Sequence, residues 1–216
     1  MNVLVIGATG GTGRAAVDVL RQCGHAVTVL ARSTPDPPFA DGVRVVRGDA
    51  LVAADLDRAL DGQDAVVVSL GRGPNALKTR LGLGTTTPPD LVSRGTREVL
   101  AAMERGAVRR VVVVSAFGVG DSWDDVPLVP KLFLGLLLKE EFRDKARQEE
   151  AVRASATDWT ILRPVQLTNG DRTGDVFVGA SSDLRQGTVS RADLGVAVAD
   201  ALVDPATHGA TLAVSG

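Results

Sequence analysis

The 216-residue chain has no tyrosine, a single cysteine and two histidines, and aromatic residues make up only 3% of it. Without tyrosine, no phenol is available as a proton donor, and any mechanism that rests on one is excluded. Cys23 has no second cysteine with which to form an intrachain bridge. Its helical spacing from Ala16 and Leu20 predicts a core position. His25 precedes a strand and His208 lies in a late loop, and neither has a partner at metal-ligand spacing. The longest apolar stretch, Leu132–Leu138, is far below the roughly 20 residues that span a bilayer. A net charge of −2 gives no basic excess for nucleic acid or an anionic membrane surface. Nothing before Val3 has the character of a secretion leader, so a cytoplasmic location is expected.

What is present is ordinary in amount and informative in order. Apolar residues are 44% of the chain and charged residues 23%, as in a soluble domain with a sizeable core. Apolar runs that suit strands alternate with helical stripes. Strands are predicted at Val3–Ile6, Ala26–Ala31, Val43–Arg47, Ala65–Leu70, Val111–Val114, Trp159–Leu162 and Thr211–Val214. Helices are predicted at Thr12–Cys23, around Leu56–Leu60, over the stripe Leu91, Gly95, Val99 and Ala102, over about 131–154, and at Ala192–Leu202. This alternation predicts an α/β fold, a single doubly wound (Rossmann) parallel sheet with helices on both faces, in one domain over residues 1–216. Three connections, 71–89, 116–130 and 164–190, would supply the substrate region, because ligands in such sheets bind beyond the carboxyl ends of the strands.

The first strand runs directly into Gly7, Gly10 and Gly13, with Thr9, Gly11 and Thr12 between them and Arg14, a second candidate for phosphate contact, directly after. Gly7 permits a tight turn, Gly10 lets backbone approach phosphates, and Gly13 lets the next helix pack closely. The N–H groups of that helix's first turn would meet a pyrophosphate. The second strand ends at Ala31, followed by Arg32 and Ser33, with no acid before Asp36. An acid there would bond both ribose hydroxyls of NAD; Arg32 and Ser33 suit the 2′-phosphate of NADP instead, so NADP(H) is favoured over NAD(H). Asp49, within Gly48, Asp49 and Ala50, suits the adenine amino group or, alternatively, the cap of a following helix. Ser69, Leu70 and Gly71 end the fourth strand where backbone would pass the ribose and nicotinamide.

Ser115 ends the fifth strand, beside the expected nicotinamide position. Its hydroxyl would serve the nicotinamide amide or a substrate carbonyl, or else satisfy loop backbone. Lys145, with Glu141 and Glu149 four residues away on either side, reads as part of a solvated, charge-paired helix face or as a lysine reaching the nicotinamide ribose. The Leu132–Leu138 run suits core, an apolar pocket wall or a dimer contact.

Six segments in order resemble one family: Val5–Arg14, Gly48–Leu51, Val113–Ala116, Asp144–Glu149, Asp158–Pro164 and Ser190–Leu194. The chain resembles the atypical short-chain dehydrogenase/reductases, in the NAD(P)H-binding branch that includes biliverdin reductase B (a flavin reductase) and NmrA-like proteins. The resemblance implies NADP at Gly7, Thr9, Gly10, Gly11, Thr12 and Gly13, with Arg32 at the 2′-phosphate and Ser115 in the active-serine position beside Lys145. It implies a substrate mouth along Pro164–Gly170, with Gln166, Leu167 and Thr168 nearest; Phe117 is a further substrate candidate, and Pro164 is also expected beside the cofactor. The classical reductases carry a proton-donating tyrosine four residues before the lysine. Here that position is Glu141, with Phe142 next to it. The flavin-reductase branch passes hydride to an electron-poor ring without that phenol. The first functional expectation is therefore NADPH-dependent reduction of a planar, apolar acceptor such as a flavin or quinone, by a monomer or homodimer. An NmrA-like sensor of NADP(H), and an isomerase or cyclase on the same fold, are the alternatives.

Overall fold

In a computed structural model, residues 1–71, 88–123 and 138–216 are described. The chain begins β1 (Asn2–Ile6), α1 (Gly11–Gln22), β2 (Ala26–Ala31), β3 (Arg44–Arg47), α2 (Ala53–Leu60) and β4 (Ala65–Val68). It continues through α3 (Leu91–Arg105), β5 (Arg110–Val114), a 3₁₀ turn at Gly120–Trp123, α4 (Lys139–Arg153) and β6 (Asp158–Pro164). Three short strands follow, β7 (Gln166–Thr168), β8 (Phe177–Gly179) and β9 (Thr188–Ser190), and then α5 (Arg191–Val203) and β10 (Ala210–Ser215).

Among the described residues the main sheet has the order β3-β2-β1-β4-β5-β6-β10-β8. All its neighbours are parallel except β8, which runs antiparallel to β10. The chain moves outward from β1 to β3 and then restarts at β4 on the other side of β1. That reversal opens a crevice at the carboxyl ends of β1 and β4, the place where such sheets bind ligands.

Strand residues alternate between two cores because successive side chains point to opposite faces. Val3, Val5, Val27, Val29, Val67, Val112 and Leu162 pack with Ala16, Leu20, Leu194 and Val198 of α1 and α5. Leu4, Ile6, Val66, Val68, Val111, Val113 and Ile161 pack with Leu56, Val99, Met103 and Val152 of α2, α3 and α4. Burial on both faces explains why these strands read as unbroken apolar runs. Helix α1 crosses α5 closely: a Cβ on Gly195 would sit 2.8 Å from the Ala15 carbonyl oxygen. Buried Arg110 works at the amino end of the sheet. It donates to the carbonyls of Leu202 at 3.0 Å and Asp158 at 2.6 Å, and to that of Ala201, closing the C-terminus of α5.

Several sequence expectations are corrected. Cys23 is exposed, not core: α1 stops at Gln22, Cys23 is its C-cap, and Gly24 at φ +81° turns the chain away. The connection 164–190 is not only loop, since β7 pairs with β9 and β8 joins the sheet edge. The fourth helix spans Lys139–Arg153, with Leu138 as its N-cap. The expected start at 131, the rest of the Leu132–Leu138 run and most of the connections 71–89 and 116–130 lie outside the described residues.

Candidate functional site

Gly7 stands at φ +82°, a conformation that side chains disfavour, and a Cβ on it would lie 2.7 Å from the Ser69 carbonyl carbon. A Cβ on Gly13 would lie 2.7 Å from Ala8 Cα. The turn closes through Gly10 N–H to the Gly7 carbonyl at 3.2 Å, and β4 is latched to β1 by Ser69 N–H to the Ile6 carbonyl at 2.8 Å. Only glycine allows this backbone to double back so tightly. Helix α1 begins at Gly11 with no side-chain cap on Gly10 and no acid in its first turn. Its free N–H groups and partial positive charge are left for an anion from outside the chain. Arg14 donates to the Pro37 carbonyl at 2.6 Å and stacks on Phe39 with Cζ 4.7 Å from the ring centre.

A second feature lies at the carboxyl ends of β2 and β3. Arg32, Arg47, Gly48, Asp49 and Asp55 line a cavity of about 340 Å³. Arg47 is a residue the sequence reading missed. Its signal was its register: it pairs with Ala31, next to Arg32. The Asp55 carboxylate accepts from Asp49 N–H at 2.8 Å and from Arg58 at 2.9 Å. The Asp49 bond first, with help from Arg58, holds that carboxyl below the usual range. Asp49 Oδ1 accepts from Leu51 N–H at 3.0 Å. It does not cap α2, whose N-cap is Val52. Ser33 is exposed nearby and Ala50 is half-buried.

At β5 the sheet ladder continues past the strand end. Ser115 N–H donates to the Leu162 carbonyl at 2.8 Å and Phe117 N–H to the Pro164 carbonyl at 2.9 Å. These bonds fix Ser115 and Phe117 beside the end of β6. Ser115 is buried, and its Oγ has no hydrogen-bond partner. A buried hydroxyl with no partner is costly, so one held in this way signals a missing group.

Lys145 comes to the same strand end. Its Nζ donates to the Val114 carbonyl at 3.3 Å. Burial pulls its pKa below the ordinary lysine value, against the opposing pull of Glu141, Glu149 and Asp144. The solvated, charge-paired face expected for this helix is not what forms. Asp144, Lys145, Gln148, Glu149 and Val152 are its buried residues. Asp144 accepts from the N–H groups of Val92 at 2.9 Å and Ser93 at 3.2 Å, capping α3 from outside it. Gln148 donates to Thr96 at 2.8 Å. Glu149 accepts a double bond-pair from Arg163, at 3.0 and 2.6 Å. Arg163 also reaches Asp121 in the 3₁₀ turn at 2.5 Å. Lys145 is thus positioned by a polar buried face that docks α4 on α3 and β6.

Beyond Ser115, a cleft of about 520 Å³ opens between the 3₁₀ turn and α4. Gly118, Gly120, Trp123, Phe142 and Ala146 line it, with Lys139 and Arg143 also on its wall. Trp123 and Phe142 meet edge to face, 6.2 Å between ring centres. Leu167 is half-buried and Gln166 exposed on β7. Leu70 packs under α3, 2.9 Å from where a Cβ on Gly95 would be. Among the described residues no cluster of His, Cys, Asp or Glu suits a metal ion, and no helix is long and apolar enough to cross a membrane.

The cavity at Arg32, the glycine turn, Ser69 and Ser115 follow the strand order β2-β1-β4-β5 along one edge of the sheet. A glycine cradle, an uncapped helix terminus and an orphaned buried hydroxyl in that order suit a nicotinamide dinucleotide. The family model described as NAD(P)H-binding matches residues 7–205. The chain belongs to the NAD(P)H-binding family. It is 30% identical over 224 residues to a (4-alkanoyl-5-oxo-2,5-dihydrofuran-3-yl)methyl phosphate reductase of Streptomyces griseus, covering 99% of this chain and 67% of that one. Its fold is that of ChuY, described as an anaerobillin reductase of Escherichia coli O157:H7, with a TM-score of 0.77 at 23% identity, over 100% of this chain and 97% of ChuY. It is also that of a Veillonella parvula short-chain dehydrogenase/reductase in complex with NADP, with a TM-score of 0.72 at 18% identity, over 100% and 94%.

Proposed function

We propose that this protein uses NADPH to reduce a planar, electron-poor acceptor, a flavin, quinone or related ring, with no protein phenol in the mechanism. The broader statement, an NAD(P)H-dependent oxidoreductase, rests on the family and on the 30% identical reductase. The observation that carries the finer reading is Ser115: a buried hydroxyl without a partner, beside Lys145, in a chain with no tyrosine.

When bound, the nicotinamide supplies a hydride; the residues hold, align and shield. Gly7, Gly10, Gly13 and the first turn of α1, with Thr9, Gly11 and Thr12, take the diphosphate. Arg32 and Arg47 take the 2′-phosphate, which sets NADPH above NADH. Asp49 and Ala50 border the adenine, and Ser69, Leu70 and Gly71 the ribose and nicotinamide. Ser115 Oγ fixes the nicotinamide amide or an acceptor carbonyl. Lys145, with two N–H donors beyond its bond to Val114, serves a ribose hydroxyl. Trp123 and Phe142 supply the aromatic wall for a flat acceptor, and Phe117, Pro164, Gln166 and Leu167 its mouth. The accompanying proton comes from water. Orientation and water exclusion thus do the catalytic work.

The test is NADPH oxidation followed by absorbance with FMN, riboflavin, simple quinones and biliverdin, beside NADPH binding by fluorescence. Turnover with one of them is expected. Replacing Arg32 and Arg47 together by Ala should weaken NADPH about 10- to 100-fold, as for loss of charge-assisted bonds, and leave NADH unchanged. Binding without turnover across the panel would point to a sensor. Absence of binding would refute the cofactor assignment itself.

A further inference from the structure

Arg191 begins α5, yet its side chain lies across the start of α1. A Cβ on Gly11 would come within 3.0 Å of Arg191 Cδ, 3.1 Å of Nε and 3.8 Å of Cζ. Gly11 is the first residue of α1, where no side chain caps the helix and no acid stands in the first turn. A full positive charge therefore rests against the positive end of a helix. That arrangement is unfavourable unless something negative lies with it.

Among the described residues none supplies the negative group. Arg191 Nη1 donates to the Thr168 carbonyl at 3.2 Å and to Asn169 Oδ1 at 2.6 Å, both neutral oxygens. Among the described residues no carboxylate pairs with it. Asp193, two residues on, is already engaged by Ser190, Thr173 and Gly174. Both bonds made by Arg191 use Nη1 alone. Among the described residues the Nε–Nη2 edge, a planar two-donor fork that matches phosphate oxygens, has no partner.

The geometry points to Arg191 as a cofactor-binding residue that flanks the diphosphate site beside Gly11. This rests on the cofactor reading above. The Nε–Nη2 edge takes the diphosphate whose other oxygens meet the N–H groups of α1. Nη1 keeps its hold on Thr168 and Asn169. One guanidinium then joins the cofactor to the segment after β7, which carries Gln166 and Leu167 of the proposed acceptor mouth. The anion resolves the opposition between Arg191 and the α1 terminus.

The test compares NADPH, ADP-ribose and adenosine 2′-monophosphate as ligands of the wild-type protein, Arg191→Ala and Arg191→Lys, by calorimetric or NMR titration. ADP-ribose carries the diphosphate without the 2′-phosphate; the monophosphate carries the reverse. Arg191→Ala should weaken NADPH and ADP-ribose alike, by about tenfold or more, and adenosine 2′-monophosphate by less than about twofold. Arg191→Lys, which keeps the charge and loses the fork, should fall between. Arg32→Ala should give the opposite pattern. Should Arg191→Ala prove unstable, Arg191→Gln keeps the stem over Gly11 and should discriminate in the same way. Equal loss for all three ligands, or no loss for ADP-ribose, would overturn the assignment. Wild-type binding to none of them would overturn the cofactor reading as well. Discriminating binding with no turnover on any acceptor would uphold Arg191 and remove only the proposed reductase chemistry.

Discussion

Replacing Ser115 by Ala should move stability and function in opposite directions. The residue is only 4% exposed, its Oγ has no partner, and its backbone N–H bond to Leu162 survives the change. A buried polar group left unsatisfied costs about 1–3 kcal/mol, which the alanine variant no longer bears. The void left by one oxygen offsets about 1 kcal/mol of that. The cofactor-free variant should therefore be more stable by about 0–2 kcal/mol, a rise in Tm of up to about 8 °C for a chain of this size. With NADPH present that advantage shrinks, because the hydroxyl then has its partner. Loss of one neutral hydrogen bond, about 0.5–1.5 kcal/mol, should weaken binding or kcat/KM about 2- to 10-fold. Differential scanning calorimetry without and with saturating NADPH reads both effects on one sample. The NADPH-induced rise in Tm should be smaller in the variant. A fall in cofactor-free Tm of more than about 3 °C, roughly 1 kcal/mol, would refute the reasoning, since it would mean that the hydroxyl is already bonded in the free protein.

Two further outcomes follow from the buried carboxylates. Glu149→Ala strands the guanidinium of Arg163, which is 5% exposed, leaving it only the bond to the exposed Asp121. Unfolding by urea should show a loss of about 3–5 kcal/mol, whereas Glu149→Leu with Arg163→Met should lose far less; a loss below about 1 kcal/mol in the single variant would contradict the buried pairing. Burial pushes the Asp193 carboxyl up, but bonds from Ser190, Thr173 and Gly174 outweigh it and hold the pKa below the usual value. Because the folded pKa is depressed, the stabilisation is fully present above about pH 4 and is lost as pH falls through the lower folded value. Urea midpoints between pH 6 and pH 2 should thus show Asp193→Asn less stable at the upper end, with the gap to wild type narrowing in acid; parallel curves would count against it.

The parallel strands and the helices that cover them were legible because burial on both faces writes them as apolar runs with glycine stops. The glycine turn was legible for the same local reason. What escaped notice was set by distant partners. The strands β7, β8 and β9 are three residues each, and their pairing joins Gln166 to Thr188 and Phe177 to Ser215, with no apolar period to announce it. The spacing of Lys145 between two glutamates reads as a surface pattern. It is buried because Arg163 and the start of α3 demand charged partners there, and neither is visible locally. Arg47 carries no local signal of a site, since it ends an edge strand, and Arg191, within the resembling segment Ser190–Leu194, reads only as the opening of a helix. Only the fold brings them to the ends of β2 and α1. The expected end of α1 at Cys23 lies one residue too far: Cys23 is the exposed C-cap, where hydrophobic spacing no longer decides burial.

The two margins of the main sheet bear on how copies of this chain meet. On one side β3 is four residues long and carries Arg44 and Arg47 at its ends. A strand seeking to add there would bring its backbone between two guanidiniums and find few N–H and C=O groups to pair with. On the other side β8, three residues long and reversed in direction, covers β10. Neither margin offers a long bare ladder. Among the described residues, self-association by extending the sheet, the route to swapped strands and fibrils, is discouraged at both ends.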